Sequence, residues 1–261
     1  MIKIFDTHAH YDDEAFDSDR DELIKSLPEK NVYAAVNIGV NLETSKRADE
    51  YTKIYDHMYG TVGYHPSDAQ RIKKEDGDVI SKLKDIALNN KKIVAIGEIG
   101  LDYHYEDTDK LVQKEWFEKQ IELAREINLP ISVHSRDAAK DTIDIMKAMH
   151  CGEIGGVIHC YSYSVESAKD YLNMGYFFGI GGVVTFKNGK KLKEVVEYLP
   201  MDRIVIETDS PYLTPDPFRR LRNDSTYLTY VAEEIARLKN ISVDQVYETT
   251  WNNALKLYGL A

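Results

Sequence analysis

The feature that most constrains this chain is an alternation. Short runs rich in Val, Ile and Tyr recur along its 261 residues, and longer segments of helical periodicity separate them. The runs read as strands at 2–8, 33–40, 58–65, 93–99, 130–135, 156–161, 176–181 and 203–209. The clearest helix lies at 109–126, where Leu111, Trp116, Ile121 and Ala124 fall close to one face and the remainder is charged. Segments 192–198 and 225–239 behave similarly, and 242–257 adds a helix after the eighth. Strands joined in this order by crossover helices run parallel. The expected fold is therefore α/β, a single (β/α)8 TIM-like barrel with an extra C-terminal helix, with residues 1–261 forming one domain. A doubly wound open sheet is the alternative, but eight units within one ordinary domain length favour closure.

A barrel brings the C-terminal ends of its strands together on one face, and here those ends carry metal-ligand residue types. The first ends Asp6-Thr7-His8-Ala9-His10, with His8 and His10 two apart and so on the same side. The fourth ends Gly97-Glu98-Ile99-Gly100-Leu101-Asp102, the fifth Val133-His134-Ser135, the sixth Ile158-His159-Cys160 and the eighth Glu207-Thr208-Asp209-Ser210-Pro211. A lone histidine near an apolar strand is ordinarily a satisfied core or surface group. Five such strand ends in one barrel are hard to explain separately, because burying an unpaired charge is costly. Four imidazoles and two carboxylates suit zinc, manganese, cobalt or nickel better than calcium. Six ligands are too many for one open catalytic ion and suit a pair. Two divalent ions against two carboxylates leave a local surplus of about two positive charges, a sink for an anionic substrate. Such a sink matters in a chain whose formal charge is −11, which argues against broad electrostatic wrapping of nucleic acid.

These segments, together with Gly63-Tyr64-His65-Pro66, Val133-His134-Ser135-Arg136, Ile158-His159-Cys160-Tyr161-Ser162 and Glu207-Thr208-Asp209-Ser210-Pro211-Tyr212, resemble the successive motifs of the TatD family of metal-dependent deoxyribonucleases, within the amidohydrolase-like superfamily. The motifs stand in family order and cover nearly the whole chain. A His-x-His alone is a weak signal; the ordered set is a strong one. The resemblance implies a hydrolase cleaving DNA phosphodiesters, some members being 3′–5′ exonucleases on single strands. It implies His8, His10, Glu98, His134, His159 and Asp209 as ligands of two divalent ions (zinc, manganese, magnesium, cobalt or nickel), with Glu98 bridging. On this reading the ions polarise a water, Asp209 orients it and accepts its proton, and His65 or a second water protonates the departing sugar oxygen.

One region departs from the family pattern Pro-x-Arg-Gly-Lys-x-Asn-x-Pro. Here it reads Pro217-Phe218-Arg219-Arg220-Leu221-Arg222-Asn223-Asp224-Ser225, so Arg219 and Asn223 match while Arg220, Leu221 and Ser225 do not. The departure touches substrate grip, where Arg219, Arg220, Arg222 and Arg136 are the candidate phosphate contacts. Glu207, two residues before Asp209, is expected one layer deeper, supporting a ligand. Cys160 is expected on the opposite side of its strand from His159, as a buried thiol. Tyr103, His104 and Tyr105 offer stacking surface.

Other hydrolases of the same barrel, of amidase, lactonase or phosphotriesterase type, are the nearest alternative. Many of them bridge their metals with a modified lysine where Glu98 stands. A non-catalytic nucleic-acid or protein binding module is the alternative of another class. Two cysteines, no apolar run of membrane-spanning length and a Met1 leading straight into a charged strand suit a cytoplasmic protein without a secretory signal. The expected partner is nucleic acid as substrate, at single-stranded DNA ends, with no membrane and no obligate protein partner.

Overall fold

A computed structural model describes residues 2–69, 71–72, 77–105 and 109–261. Its strands are β1 (Ile4–Ala9), β2 (Val32–Asn37), β3 (Met58–Val62), β4 (Ile93–Asp102), β5 (Ile131–Arg136), β6 (Gly156–Ile158), β7 (Phe177–Ile180) and β8 (Ile204–Ile206). They pair in sequence order, every neighbour parallel. The ring closes where Ala9 bridges Ser210. The His10 N–H donates to the Ser210 carbonyl at 2.8 Å, and the Asp209 N–H to the His8 carbonyl at 2.9 Å. The expected (β/α)8 barrel is thus the fold. Its strands are covered on both sides, which is why they read as continuous apolar runs: all six residues of β1 and all ten of β4 are buried.

The helices are α1 (Arg20–Ser26), α2 (Leu42–Ile54), α3 (Pro66–Ala69), α4 (Val79–Asn89), α5 (Lys110–Ile127), α6 (Ala139–Ala148), α7 (Val165–Asn173), α8 (Lys190–Tyr198), α9 (Leu228–Lys239) and α10 (Val243–Leu257). Helix α5 starts where the Asp109 side chain accepts from the N–H groups of Leu111 and Val112, and stops at Asn128 in the left-handed region. Its face differs from the sequence expectation. Leu111 is 77% exposed, and the buried stripe is Gln113, Phe117, Gln120, Ile121, Leu123 and Ala124. Leu111 lies two residues before Gln113, about 200° round the helix, so it cannot share that stripe.

The extra C-terminal helix is present. A Ser242/Gln245 capping box opens α10. The helix packs beneath the barrel, where Trp251 and Tyr258 meet Phe5 at ring-centroid distances of 5.7 and 5.8 Å. Asn253 donates to the carbonyls of Met201 and Ile204 at 2.8 and 2.7 Å, and the Tyr258 hydroxyl to that of Thr7 at 3.0 Å. These bonds tie β8 to β1 from below.

Candidate metal centre

Several strands stop earlier than the apolar runs suggest. β3 ends at Val62, β6 at Ile158 and β8 at Ile206, so His65, His159 and Asp209 stand on the turns beyond them. Strand alternation therefore cannot be carried across those ends. At β6 this corrects one expectation. Cys160 has φ 44°, its backbone turns, and its thiol is half-buried rather than set on the far side. The Cys160 sulfur, a His159 nitrogen and an Asp209 oxygen all lie within 4.8 Å of one another. Asp209 itself has φ 56°, a conformation that Asp and Asn enter more readily than other non-glycine residues.

Beneath the mouth, Asp6 holds both ends of the ring. Its carboxylate accepts from the His8 N–H at 3.2 Å, the Thr208 N–H at 3.0 Å, and the Thr208 and Ser225 hydroxyls at 2.7 and 2.6 Å. Glu207, buried as expected, places Oε1 2.9 Å from His159 Nδ1 and accepts from the Cys160 N–H at 2.6 Å. A Cβ on Gly179 would stand 2.1 Å from Glu207 Oε2, so only glycine leaves room for this carboxylate.

Above this layer the six expected ligands converge. His8 Nε2 lies 3.2 Å from His10 Nε2, 3.5 Å from Glu98 Oε2 and 3.8 Å from Asp209 Oδ1. His10 Nε2 is 3.4 Å from Asp209 Oδ1. On the other side, Glu98 Oε1 is 2.8 Å from His134 Nδ1 and 3.7 Å from His159 Nε2. The rings of His8 and His159 stack at 3.4 Å. Glu98 thus belongs to two ligand groups, one with His8 and His10 and one with His134 and His159. So many nitrogen and oxygen acceptors facing one another fit a cation. The buried His8 Nδ1 also has no hydrogen-bond partner of its own.

The rings of the cluster differ in how readily they take a proton. Burial opposes charge on His134, yet its bonds to Asp102 and Glu98 raise its pKa to about 9. Burial likewise opposes charge on His159, but Glu207 and Glu98 raise its pKa to about 10. Burial would push Glu98 up, but the charge of His159 and the hydrogen bond from His134 hold it well below the usual carboxylate range. His65 behaves differently. Burial and then the neighbouring His134 charge lower it to about 3, so it is neutral. Its Nδ1 accepts from the Ser67 N–H at 3.2 Å, which leaves its proton on Nε2, 3.9 Å from Glu98 Oε1.

The mouth is a cavity of about 490 Å³. His10, His65, Glu98, His134, His159 and Asp209 line it, with Arg136, Tyr105 and Tyr212. So do Asp12, Asp13, Asp68 and Asp102, acids that sequence reasoning did not single out. Asp102 stood within a quoted motif. Its Oδ2 is 3.1 Å from His134 Nε2. Asp12 and Asp13 are held by Arg20, whose guanidinium donates to the carbonyls of Tyr11, Asp12 and Asp13. Of the stacking candidates only Tyr105 reaches the mouth, with the Arg136 guanidinium 5.9 Å from its ring centre. Tyr103 donates to Asp141 at 2.8 Å, and His104 pairs with Asp137 at 3.1 Å. The arginines of the divergent loop do not line this cavity. Arg219 lies 3.4 Å over the Phe186 ring, Arg220 is exposed, and Arg222 binds both oxygens of Asp19 at 2.6 and 2.7 Å.

A parallel barrel with such a cluster at its C-terminal mouth belongs among the metal-dependent hydrolases, and the chain's relatives carry that description. An uncharacterized metal-dependent hydrolase of Bacillus subtilis (strain 168), YabD, is 44% identical over 255 residues, covering 98% of each chain. Another from Escherichia coli (strain K12), YcfH, is 32% identical over 258 residues, covering 98% of this chain and 95% of its own. Residues 5–259 match the family of TatD-related DNases, and the chain belongs to that family. The crystal structure of YJJV, a TatD homolog from Escherichia coli K12, superposes with a TM-score of 0.92 at 25% identity, over 99% of this chain and 98% of that one. A single-site mutant of organophosphorus hydrolase from Deinococcus radiodurans, 14% identical with a TM-score of 0.67 over 99% of this chain and 94% of its own, shares the fold. No helix among the described residues is long and apolar enough to cross a membrane.

Proposed function

We propose that this chain hydrolyses phosphodiester bonds of DNA, at single-stranded ends, in the cytoplasm, as one catalytic unit spanning residues 1–261. The observation that carries the reading is the split of Glu98, with Oε2 toward His8 and Oε1 toward His134 and His159. Such a carboxylate suits a bridge between two divalent ions, zinc, manganese, magnesium, cobalt or nickel. One would be held with His8 and His10, the other with His134 and His159, and Asp209 completes the set. Bound there, the ions supply a polarised water and neutralise charge on phosphoryl oxygens. Asp209, opening onto the mouth, orients the water and takes its proton. Neutral His65 presents its Nε2–H to a phosphoryl oxygen, and solvent protonates the departing sugar oxygen. Arg136, beside Tyr105, meets a phosphate at the rim.

The acidic rim favours a second reading. Among the described residues lining the mouth, Arg136 is the sole Lys or Arg, against Asp12, Asp13 and Asp68. A small phosphoester entering alone suits that rim better than a polyanion. One experiment separates the readings: metal-reconstituted protein assayed on end-labelled single- and double-stranded DNA and RNA, beside a small chromogenic phosphodiester. Metal-dependent shortening of single-stranded DNA is the expected result, with metal analysis approaching two ions per chain. Turnover of the small ester alone selects the second reading, and strictly one ion, with binding unchanged in Glu98→Ala, overturns the bridged pair.

A further inference from the structure

Helix α5 carries two buried glutamines seven residues apart, Gln113 and Gln120, on its barrel-facing side. Each grips one backbone residue with both halves of its amide. Gln113 Oε1 accepts from the Asp102 N–H at 2.9 Å, and its Nε2 donates to the Asp102 carbonyl at 2.9 Å. Gln120 does the same to Tyr64, at 2.7 and 3.1 Å. Apolar side chains would serve helix packing, so the amides answer another need: pairing backbone groups where sheet bonding runs out. What each clamp holds differs. Tyr64 precedes His65. The Asp102 carboxylate is fixed at one oxygen by the His104 N–H at 2.9 Å, and at the other faces His134 Nε2 at 3.1 Å. A ring that donates from Nε2 to a carboxylate presents Nδ1 to the metal site. In the metal-free chain Nδ1 donates to Glu98 Oε1, 2.8 Å away, and it would offer a lone pair to an ion that displaced that proton.

We propose that Asp102 is a positioning residue that fixes the tautomer and orientation of His134, and that Gln113 acts through it by locking its backbone from α5. Gln120 holds the backbone of Tyr64 just beyond β3, and from there no hydrogen bond reaches a ligand, since His65 Nε2 stands 3.9 Å from Glu98 Oε1. The inference rests on the metal-centre reading and not on the nature of the substrate.

The test is a Co²⁺ titration of the full-length, metal-stripped chain. It follows the visible absorption of the bound ion and its affinity by chelator competition. Asp102→Asn and Gln113→Met are expected to lower affinity by about 10- to 100-fold, the scale of lost outer-shell partners, and to alter the cobalt spectrum. Gln120→Met, which loses an equivalent clamp, leaves both unchanged. A purely structural role for the glutamines would move the two Met variants alike, and that result overturns the proposal. So does wild-type affinity and spectrum in folded Asp102→Asn or Gln113→Met. Where a Met variant does not fold, the isosteric Glu variant, which keeps the acceptor half of the clamp, replaces it under the same criteria. A wild-type chain that binds no cobalt overturns the metal-centre reading and this proposal with it, whereas normal wild-type binding with unaltered variants overturns the proposal alone.

Discussion

Asp209 combines an unusual backbone with a half-buried carboxylate that opens onto the mouth. Its φ of 56° is one that Asn tolerates equally, so Asp209→Asn changes the chemistry and spares the turn. We expect turnover to fall by roughly 100-fold or more, the scale of a lost general base, with the melting temperature of the metal-free protein nearly unchanged. Equal turnover at saturating metal would remove Asp209 from the mechanism. His134 and His159 make a second prediction. In the metal-free chain their pKa values rise to about 9 and about 10 from an ordinary 6.5. A group protonated more readily in the folded than in the unfolded chain stabilises the fold fully below its unfolded pKa. That contribution fades as pH climbs through the folded value. The melting temperature in chelator should therefore drop between pH 6 and pH 10 more steeply than that of the metal-loaded protein, where the ion replaces the protons. Parallel curves would show that the two rings are not the proton sites.

At the scale of elements, the loop after β8 divides its arginines. Arg222 is engaged with Asp19 and lies 4.5 Å over the Phe16 ring, so Arg222→Ala should cost stability, about 0.2–1 kcal/mol for the ion pair, in thermal melts. Oligonucleotide binding should not change with it. Replacing Arg219 and Arg220 together should raise the apparent KM for oligonucleotides and flatten its salt dependence by a slope of about 0.7 per lost phosphate contact, sparing a small phosphodiester. Equal effects on both substrates would mean that the loop supports the site itself. Such loops mark the boundary of what was legible in the sequence. Strand runs and ligand types are local properties, so the barrel and the convergence of His8, His10, Glu98, His134, His159 and Asp209 could be read from them. The strand ends themselves could not, because turns at His65, His159 and Asp209 break the two-residue period, and the placement of Cys160 failed there. The buried face of α5 was misread for another reason. Periodicity counts apolar side chains, and two of the residues that matter most on that face are glutamines satisfied by backbone groups. Asp12 and Asp13 owe their position to Arg20, a tertiary contact without local signature.

At the scale of the molecule, the barrel has one thin join. β1 meets the β8 segment through a single backbone bridge, backed by the Asp6 carboxylate on Thr208 and the Thr7 hydroxyl on the Ile206 carbonyl, and α10 spans that join from below. Asn253→Leu would remove the shared donor to the carbonyls of Met201 and Ile204, at about 0.5–1.5 kcal/mol for each hydrogen bond lost, with the Met201 carbonyl keeping the Ile204 N–H. We expect a lower denaturation midpoint, accompanied by weaker metal binding because Asp209 hangs from the same join. A midpoint shift with intact metal affinity would show that the base and the mouth are uncoupled. The join also orders events in time. His8 and Asp209 stand 3.8 Å apart across it, yet 201 positions apart in the chain. Until the later segment is made, His8 and His10 lack their partners across the ring, and an ion captured then would be held by only a fragment of that shell. On the proposed two-ion reading the full set of ligands exists only once β8 has reached β1, so a half-made chain would be an unarmed one.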